Sequence, residues 1–126
     1  MTMATADQMV AAVQAYINSY NAGDLNGIVN VFAADATVED PVGTPVKRGH
    51  DELRAFFHVG VEAGARLFLD GPVRCADCFA AFPFHVELTW DGAVTRIDVI
   101  DVFQFDGGGK VTAMKAYFGP GNMGPA

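Results

Sequence analysis

The chain has 126 residues, of which 51% are apolar and 18% charged, with a formal net charge of −7 at pH 7. This composition is typical of one globular domain, residues 1–126, rather than of a disordered chain. The acidic balance without a basic cluster excludes nucleic acid and an anionic membrane surface as partners, and no apolar run reaches the ~18 residues of a membrane span. The start "MTMATADQMV" lacks the layout of a signal peptide, so we expect a cytoplasmic protein.

The first third of the chain is predicted to be helical. Thr5 and Gln8 have the spacing of a capping box, and apolar residues then recur at helical intervals up to Gly23, which ends the helix. Asp24 caps a second helix, which extends to Phe32. "ATVED" is a short strand, "PVGTPVKRG" is a loop, and a third helix follows. The apolar face of the first helix consists of Met9, Val13, Tyr16, Ile17 and Tyr20.

After Gly64 the pattern changes to strands. Four segments, "ARLFLDGPVR", "FAAFPFHVELTW", "RIDVIDVFQF" and "VTAMKAYFG", are separated by turn signals such as Trp90-Asp91-Gly92. Helices followed by antiparallel strands indicate an α+β fold, in which a curved sheet wraps against three helices and leaves a conical cavity. The tail, "GPGNMGPA", is predicted to be mobile.

Two carboxyl groups interrupt apolar strand faces. Alternation along a strand places Asp101 between Val99 and Phe103, whereas Asp98 points to the opposite face. Asp40 likewise ends the apolar face of "ATVED". Buried aspartates are uncommon unless they are paired. Two interpretations follow: an ion pair or polar hole at the edge of the sheet, or a functional site.

Other chemistry is weakly supported. Cys75 and Cys78 form a single C-x-x-C, and the histidines lie at spacings that do not complete a zinc site, so we expect two ordinary thiols and no metal. Ser19 is the one serine and lies inside the first helix, away from any nucleophile elbow. Tyr16 on its own is compatible with a core position as well as with a functional one.

The residues and their spacing resemble a known family. The segments "QAYINSYNAGDLNGIVNVFAADATVEDPVGTP" and "IDVIDVFQFDGGGKVTAMKAYFGPGN" look like Δ5-3-ketosteroid isomerase, and the resemblance covers essentially the whole chain. The combination of Tyr16, Asp40 and Asp101 separates this family from its relatives on the same conical scaffold, the cystatin or NTF2-like fold.

The resemblance implies a mechanism without cofactor or metal. Asp40 would remove the C4 β proton of a 3-oxo-Δ5 steroid and return it at C6. Tyr16 and Asp101 would each donate a hydrogen bond to the C3 oxygen of the dienolate. To donate, Asp101 must keep its proton at neutral pH, and desolvation of a fully buried acid can supply the required shift of about 3 units.

The resemblance also implies a steroid-binding wall and a homodimer. Some members carry further tyrosines where this chain has Phe32 and Phe57, so any phenol network is absent or shortened here, and Tyr20 would contribute instead or narrow the cavity. Two alternatives stay open: a polyketide cyclase or dehydratase on the same scaffold, and a binding protein for apolar ligands without turnover. The predicted substrate-binding residues are Tyr20, Phe57, Phe84, Val86, Val99, Met114, Ala116 and Phe118.

Overall fold

The computed structural model describes residues 2–126, and three helices form where the sequence predicts them. The capping box is present: Thr5 Oγ1 accepts from the Gln8 N–H at 3.1 Å, and Gln8 Oε1 accepts from the Thr5 N–H at 2.8 Å. Gly23, at φ +65°, lets the chain leave the first helix in the left-handed region. Asp24 caps the second helix through the Gly27 N–H. The helices are α1 (Ala6–Asn21), α2 (Leu25–Asn30) and α3 (Gly49–Glu62).

Eight strands form one mixed sheet. Its order is β2-β1-β7-β6-β5-β3, with β4 added beside β5 and β8 beside β6. Only β1 and β7 are parallel among these pairs, so the sheet is mostly antiparallel, as predicted. The strands are β1 (Phe32–Glu39), β2 (Lys47–Arg48), β3 (Arg66–Leu69), β4 (Arg74–Ala76), β5 (Phe79–Trp90), β6 (Ala93–Phe105), β7 (Val111–Tyr117) and β8 (Met123–Pro125).

Two segments differ from the sequence prediction. "ARLFLDGPVR" is two strands, because Gly71 and Pro72 interrupt it, and β3 and β4 pair with different parts of β5. Phe32 begins β1 instead of ending the second helix. Both differences move a boundary and leave the fold class unchanged.

The tail is structured, so the prediction of a mobile end was wrong. It forms a 3-10 helix (Pro120–Asn122) and then β8. The reason lies in the length of β6: β7 pairs with only its second half, which leaves an open edge beside Thr95–Ile97, and β8 pairs there.

The core lies between the helices and one face of the sheet. Four phenylalanines at 0–1% exposure, Phe32, Phe57, Phe82 and Phe103, form its centre. The remaining space between the helices and the sheet is a cleft. Within residues 2–126, no helix is both long and apolar enough to cross a membrane.

Candidate active site

The cleft consists of two chambers that share part of their walls. The inner chamber has a volume of about 120 Å³ and the outer one about 440 Å³. Residues that line both chambers mark the passage between them, and we call this set the collar. The collar consists of Tyr20, Asp40, Gly60, Leu88, Ile97 and Phe118.

Asp101 lies in the wall of the inner chamber. It is in the middle of the sheet, because β6 pairs there with Phe82 of β5 and Ala116 of β7. The residue is 1% exposed, and neither carboxyl oxygen has a hydrogen-bond partner among the described residues. Asp98 faces the other way, is exposed, and accepts from Arg96 Nε at 3.0 Å. The opposite orientations predicted from strand alternation are therefore confirmed.

The surroundings of Asp101 favour its protonated form. Burial raises the pKa of Asp101 well above the ordinary range, and the carboxyl of Asp40 raises it further. No cation is paired with Asp101 to oppose this effect within the described residues. A protonated carboxyl carries an O–H, so Asp101 can donate a hydrogen bond into the chamber.

Tyr16 reaches the same chamber from α1. It is 3% exposed, and its ring meets those of Phe103 and Tyr20 edge-on, with centroids 5.3 and 5.4 Å away. The rings of Phe57 and Phe32 also pack against Tyr16, with centroids 6.0 and 6.1 Å from that of the Tyr16 ring. Burial, followed by Tyr20, Asp101 and Asp40 in that order, raises the pKa of the Tyr16 phenol. Tyr16 is therefore a second neutral donor beside Asp101.

Asp40 lies in the collar, immediately after β1. Its position is fixed from both sides: Val38 pairs with Met114 of β7, and the Val42 N–H donates to the Ala116 carbonyl at 2.8 Å. Asp40 is only partly buried, and desolvation raises its pKa to about 6, against an opposing effect of Lys47. At neutral pH this carboxyl is mostly ionised and is a stronger base than an ordinary aspartate.

The structure brings most of the predicted wall together. Tyr20, Phe84, Val86, Val99 and Phe118 line the inner chamber. Phe57, Met114 and Ala116 are at 0–1% exposure in the core and line neither chamber, so their part in substrate binding stays a prediction. Met114 and Ala116 were predicted because they share one strand face with Phe118, and in the structure that face continues past the cleft into the packed core.

Sequence reasoning also missed part of the wall. Leu88 and Ile97 belong to the collar, and continued alternation from Val86 and Val99 could have found them. Gly60 had a different signal, since a glycine inside a helix often has a packing reason. The outer chamber adds apolar residues from distant elements, namely Pro41, Phe56, Val59, Ala63, Trp90 and Met123.

The remaining candidate groups of reactive side chains lie outside the two chambers. An open groove of about 520 Å³ contains Asp70 and Asp98, and both carboxylates have basic partners, His85 and Arg96. Cys75 and Cys78 are free thiols, not joined in a disulfide, and they line neither chamber. Among residues 2–126, no three His, Cys, Asp or Glu side chains are grouped to hold a metal ion. The inner chamber is thus the place where unpaired acidic groups and apolar walls coincide.

A conical α+β fold with acidic groups and a phenol in an apolar cleft defines an NTF2-like enzyme. Comparisons of this chain with known proteins give the same class. Residues 13–114 match the SnoaL-like domain. The chain is 35% identical over 117 residues to a steroid Δ-isomerase of Nocardioides simplex, covering 92% of this chain and 94% of that protein. The epoxide hydrolase/cyclase-like enzyme SalBIII, described for pyran ring formation in the polyether salinomycin, superposes with a TM-score of 0.90 at 27% identity, over 95% of this chain and 97% of that one. The chain therefore belongs to the SnoaL-like, or NTF2-like, family and within it to the ketosteroid isomerases.

Proposed function

We propose that the protein isomerises 3-oxo-Δ5 steroids to the conjugated 3-oxo-Δ4 steroids. The observation that carries the proposal is Asp101, a buried carboxyl without a protein partner in the wall of an apolar chamber that Tyr16 also lines. A buried polar group without a partner is costly and is retained where a ligand can use it. The similarity to a steroid Δ-isomerase supports the same conclusion.

The arrangement of the cleft gives the substrate one orientation. The C3 oxygen enters the inner chamber, where Tyr16 and Asp101 donate hydrogen bonds to it. The carbons that lose and gain the proton, C4 and C6, then lie towards the collar, beside Asp40. The remaining fused rings occupy the apolar outer chamber, which has the size of typical ligand pockets, about 300–1,000 Å³.

The reaction is a proton transfer without net oxidation. Asp40 takes the proton from C4, the C4–H electron pair becomes part of a dienolate, and negative charge develops on the C3 oxygen. Asp40 then delivers the same proton to C6, and the C3 carbonyl re-forms. Because Tyr16 and Asp101 are held neutral, they stabilise charge that develops in the transition state without first forming ion pairs with it.

A second candidate function rests on the structural neighbour. SalBIII is described as an epoxide hydrolase/cyclase-like enzyme, and its fold matches this chain closely. A cyclase would use the same carboxyl groups as acid and base on an epoxy alcohol. The inner chamber supports the isomerase, because Tyr16 and Asp101 both line it as neutral hydrogen-bond donors. A third candidate is a steroid-binding protein without turnover.

The test is the ultraviolet assay for the conjugated enone with 5-androstene-3,17-dione as substrate. We expect steady formation of 4-androstene-3,17-dione by the wild-type protein and almost none by Asp40→Asn. Turnover of an epoxy alcohol without turnover of the steroid would favour the cyclase. Binding of 4-androstene-3,17-dione without isomerisation would favour the binding protein.

The homodimer stays a prediction alongside this function. The outer face of the sheet exposes large apolar side chains on neighbouring strands, including Ile100 at 50% and Tyr117 at 47%. Contiguous apolar surface of this kind often marks an interface. Sedimentation equilibrium gives the mass in solution directly, and a monomer at micromolar concentration would contradict the prediction.

A further inference from the structure

The collar has two unlike sides. Leu88, Ile97 and Phe118 come from the sheet and its end, whereas Tyr20 comes from α1 and Gly60 from α3. Tyr20 is the one large side chain that the helices contribute to the collar, and it lines both chambers while only 9% exposed. The position of its ring therefore sets where the helix side of the passage lies.

Gly60 determines where that ring lies. A Cβ atom added at Gly60 would be 2.8 Å from Tyr20 Oη, 3.2 Å from Cε1 and 3.4 Å from Cζ. A side chain at this position would therefore push the ring away from α3. On other sides the ring is packed against Tyr16 and Phe57, with centroids 5.4 and 5.9 Å away, so the cleft is the direction in which it can move.

A glycine inside a helix is unfavourable by itself. It makes the helix less stable than alanine would at the same position. Gly60 lies in the last turns of α3, between exposed Val59 and half-buried Val61, where the helix itself does not need a glycine. The contact with Tyr20 supplies the physical reason for it.

The inner chamber is small enough for the collar to be selective. Its volume of about 120 Å³ is below the ~150 Å³ of an apolar protein cavity that holds one benzene molecule. The inner chamber therefore has room for little more than the carbonyl edge of one ring, and an alkyl group beside the carbonyl would compete for that room.

We propose that Tyr20 and Gly60 are the specificity-determining pair of this site: they keep the passage narrow, so that the enzyme accepts fused-ring ketones whose terminal keto ring carries no alkyl group beside the carbonyl. This inference rests on the proposed function and adds the substrate class that the site selects.

The first experiment compares kcat/KM for 5-androstene-3,17-dione and for its 2-methyl homologue. One methyl or methylene group in a fitted apolar pocket changes kcat/KM by about 10–200-fold, so we expect at least about tenfold preference for the unsubstituted ketone in the wild type. Tyr20→Phe keeps the ring and should keep the preference. Tyr20→Ala should reduce the preference to about threefold or less, because the collar opens. Val10→Ala, on the exposed side of α1, is the control and should keep the preference.

The second experiment couples the two residues. Gly60→Ala should lower kcat/KM about tenfold or more when Tyr20 is present, but clearly less in the Tyr20→Phe background, since that change removes the hydroxyl that the new methyl group would meet first. Circular dichroism and the thermal midpoint identify any variant that fails to fold. Equal effects of Gly60→Ala in both backgrounds would overturn the role of the pair.

Binding separates the failure of this inference from that of the proposed function. Calorimetric affinities for 4-androstene-3,17-dione and its 2-methyl homologue require no turnover. If the wild type binds selectively but does not isomerise, and selectivity is lost in Tyr20→Ala, the collar proposal holds and the isomerase proposal fails. If turnover is normal but the preference is unchanged in folded Tyr20→Ala, the collar proposal fails alone. A wild type that binds neither compound overturns both.

Discussion

The two faces of β6 carry the same side chain in two opposite states. Asp98 on the outer face is exposed and paired with Arg96. Asp101, three residues later on the inner face, is buried and unpaired, and burial raises its pKa. A strand separates the two environments by nothing more than side-chain alternation. In this fold, the face and not the residue type therefore decides whether a carboxyl is exposed and paired or buried and unpaired.

The largest effect is expected from a substitution of Asp40, the proposed base. Asp40→Asn should lower kcat by about 10²–10⁴-fold or more, because an amide cannot take the proton. Glu39→Gln is the matched control: Glu39 is adjacent in sequence, lines neither chamber, and accepts a hydrogen bond from the Gly43 N–H. We expect steady-state kinetics of Glu39→Gln to be close to wild type. Near-normal kcat in Asp40→Asn would remove the assigned role.

The two aspartates of β6 provide the next comparison. Asp101→Ala removes a donor to the dienolate oxygen and should lower kcat about 10²–10³-fold. Asp101→Asn should lower it less, because its amide N–H can still donate. Asp98→Ala should leave kcat nearly intact. If the rates of the Asp98 and Asp101 variants fall equally in the enone assay, the separation between the two faces is contradicted.

The same comparison can be made through stability. The raised pKa of Asp101 means that the folded state keeps a proton which the unfolded chain loses above about pH 4, so the free energy of unfolding falls as pH rises from there towards the raised pKa. Relative to the wild-type value, the free energy of unfolding of Asp101→Asn should therefore rise by about 1.4 kcal/mol for each pH unit between about pH 5 and 7. Urea unfolding at each pH measures this difference. The free energy of unfolding of Asp98→Asn should change with pH in the same way as that of wild type. If the value for Asp101→Asn also follows wild type, Asp101 is not protonated.

The smallest expected effect is a shift in a pH profile. The base must be ionised, so kcat/KM should rise with pH and level off above the pKa of Asp40, about 6. The charge of Lys47 lowers the pKa of Asp40, against the effect of desolvation. Lys47→Met should therefore move the midpoint of the pH profile to higher pH. Lys110→Met removes the same charge away from the cleft, where Lys110 Nζ donates to the Asn30 carbonyl, and should leave the midpoint in place. A midpoint that stays near pH 4 in wild type would show that the collar does not desolvate Asp40.

Local patterns predicted the inner face well. Three features depend only on residues that are close together in the sequence, and each is found in the structure: the capping box, the helix end at Gly23 and the alternation around Asp101. Tyr16, Asp40 and Asp101 were singled out as a set through the family resemblance, and the structure places all three around the inner chamber. Their catalytic roles stay predictions.

Features that depend on distant segments were not predictable from local patterns. Alternation says which residues share a face but not where the core ends and the cleft begins, so it could not show that Met114 and Ala116 are buried in the core. The parallel pairing of β1 with β7 and the docking of the tail beside β6 depend on which edges remain open after the longer strands have paired. Gly60 was overlooked because its partner, Tyr20, is in another helix.

The parallel pairing of β1 with β7 has a consequence for how activity appears during folding. Tyr16 and Asp40 are encoded in the first third of the chain, but the strand before Asp40 is held in the sheet by β7, from near the other end. Contacts between such distant segments form slowly relative to helices and hairpins. Tyr16, Asp40 and Asp101 therefore meet only when the two ends of the chain have joined. We expect recovery of the proposed activity after dilution from denaturant to report completion of the sheet rather than formation of its helices.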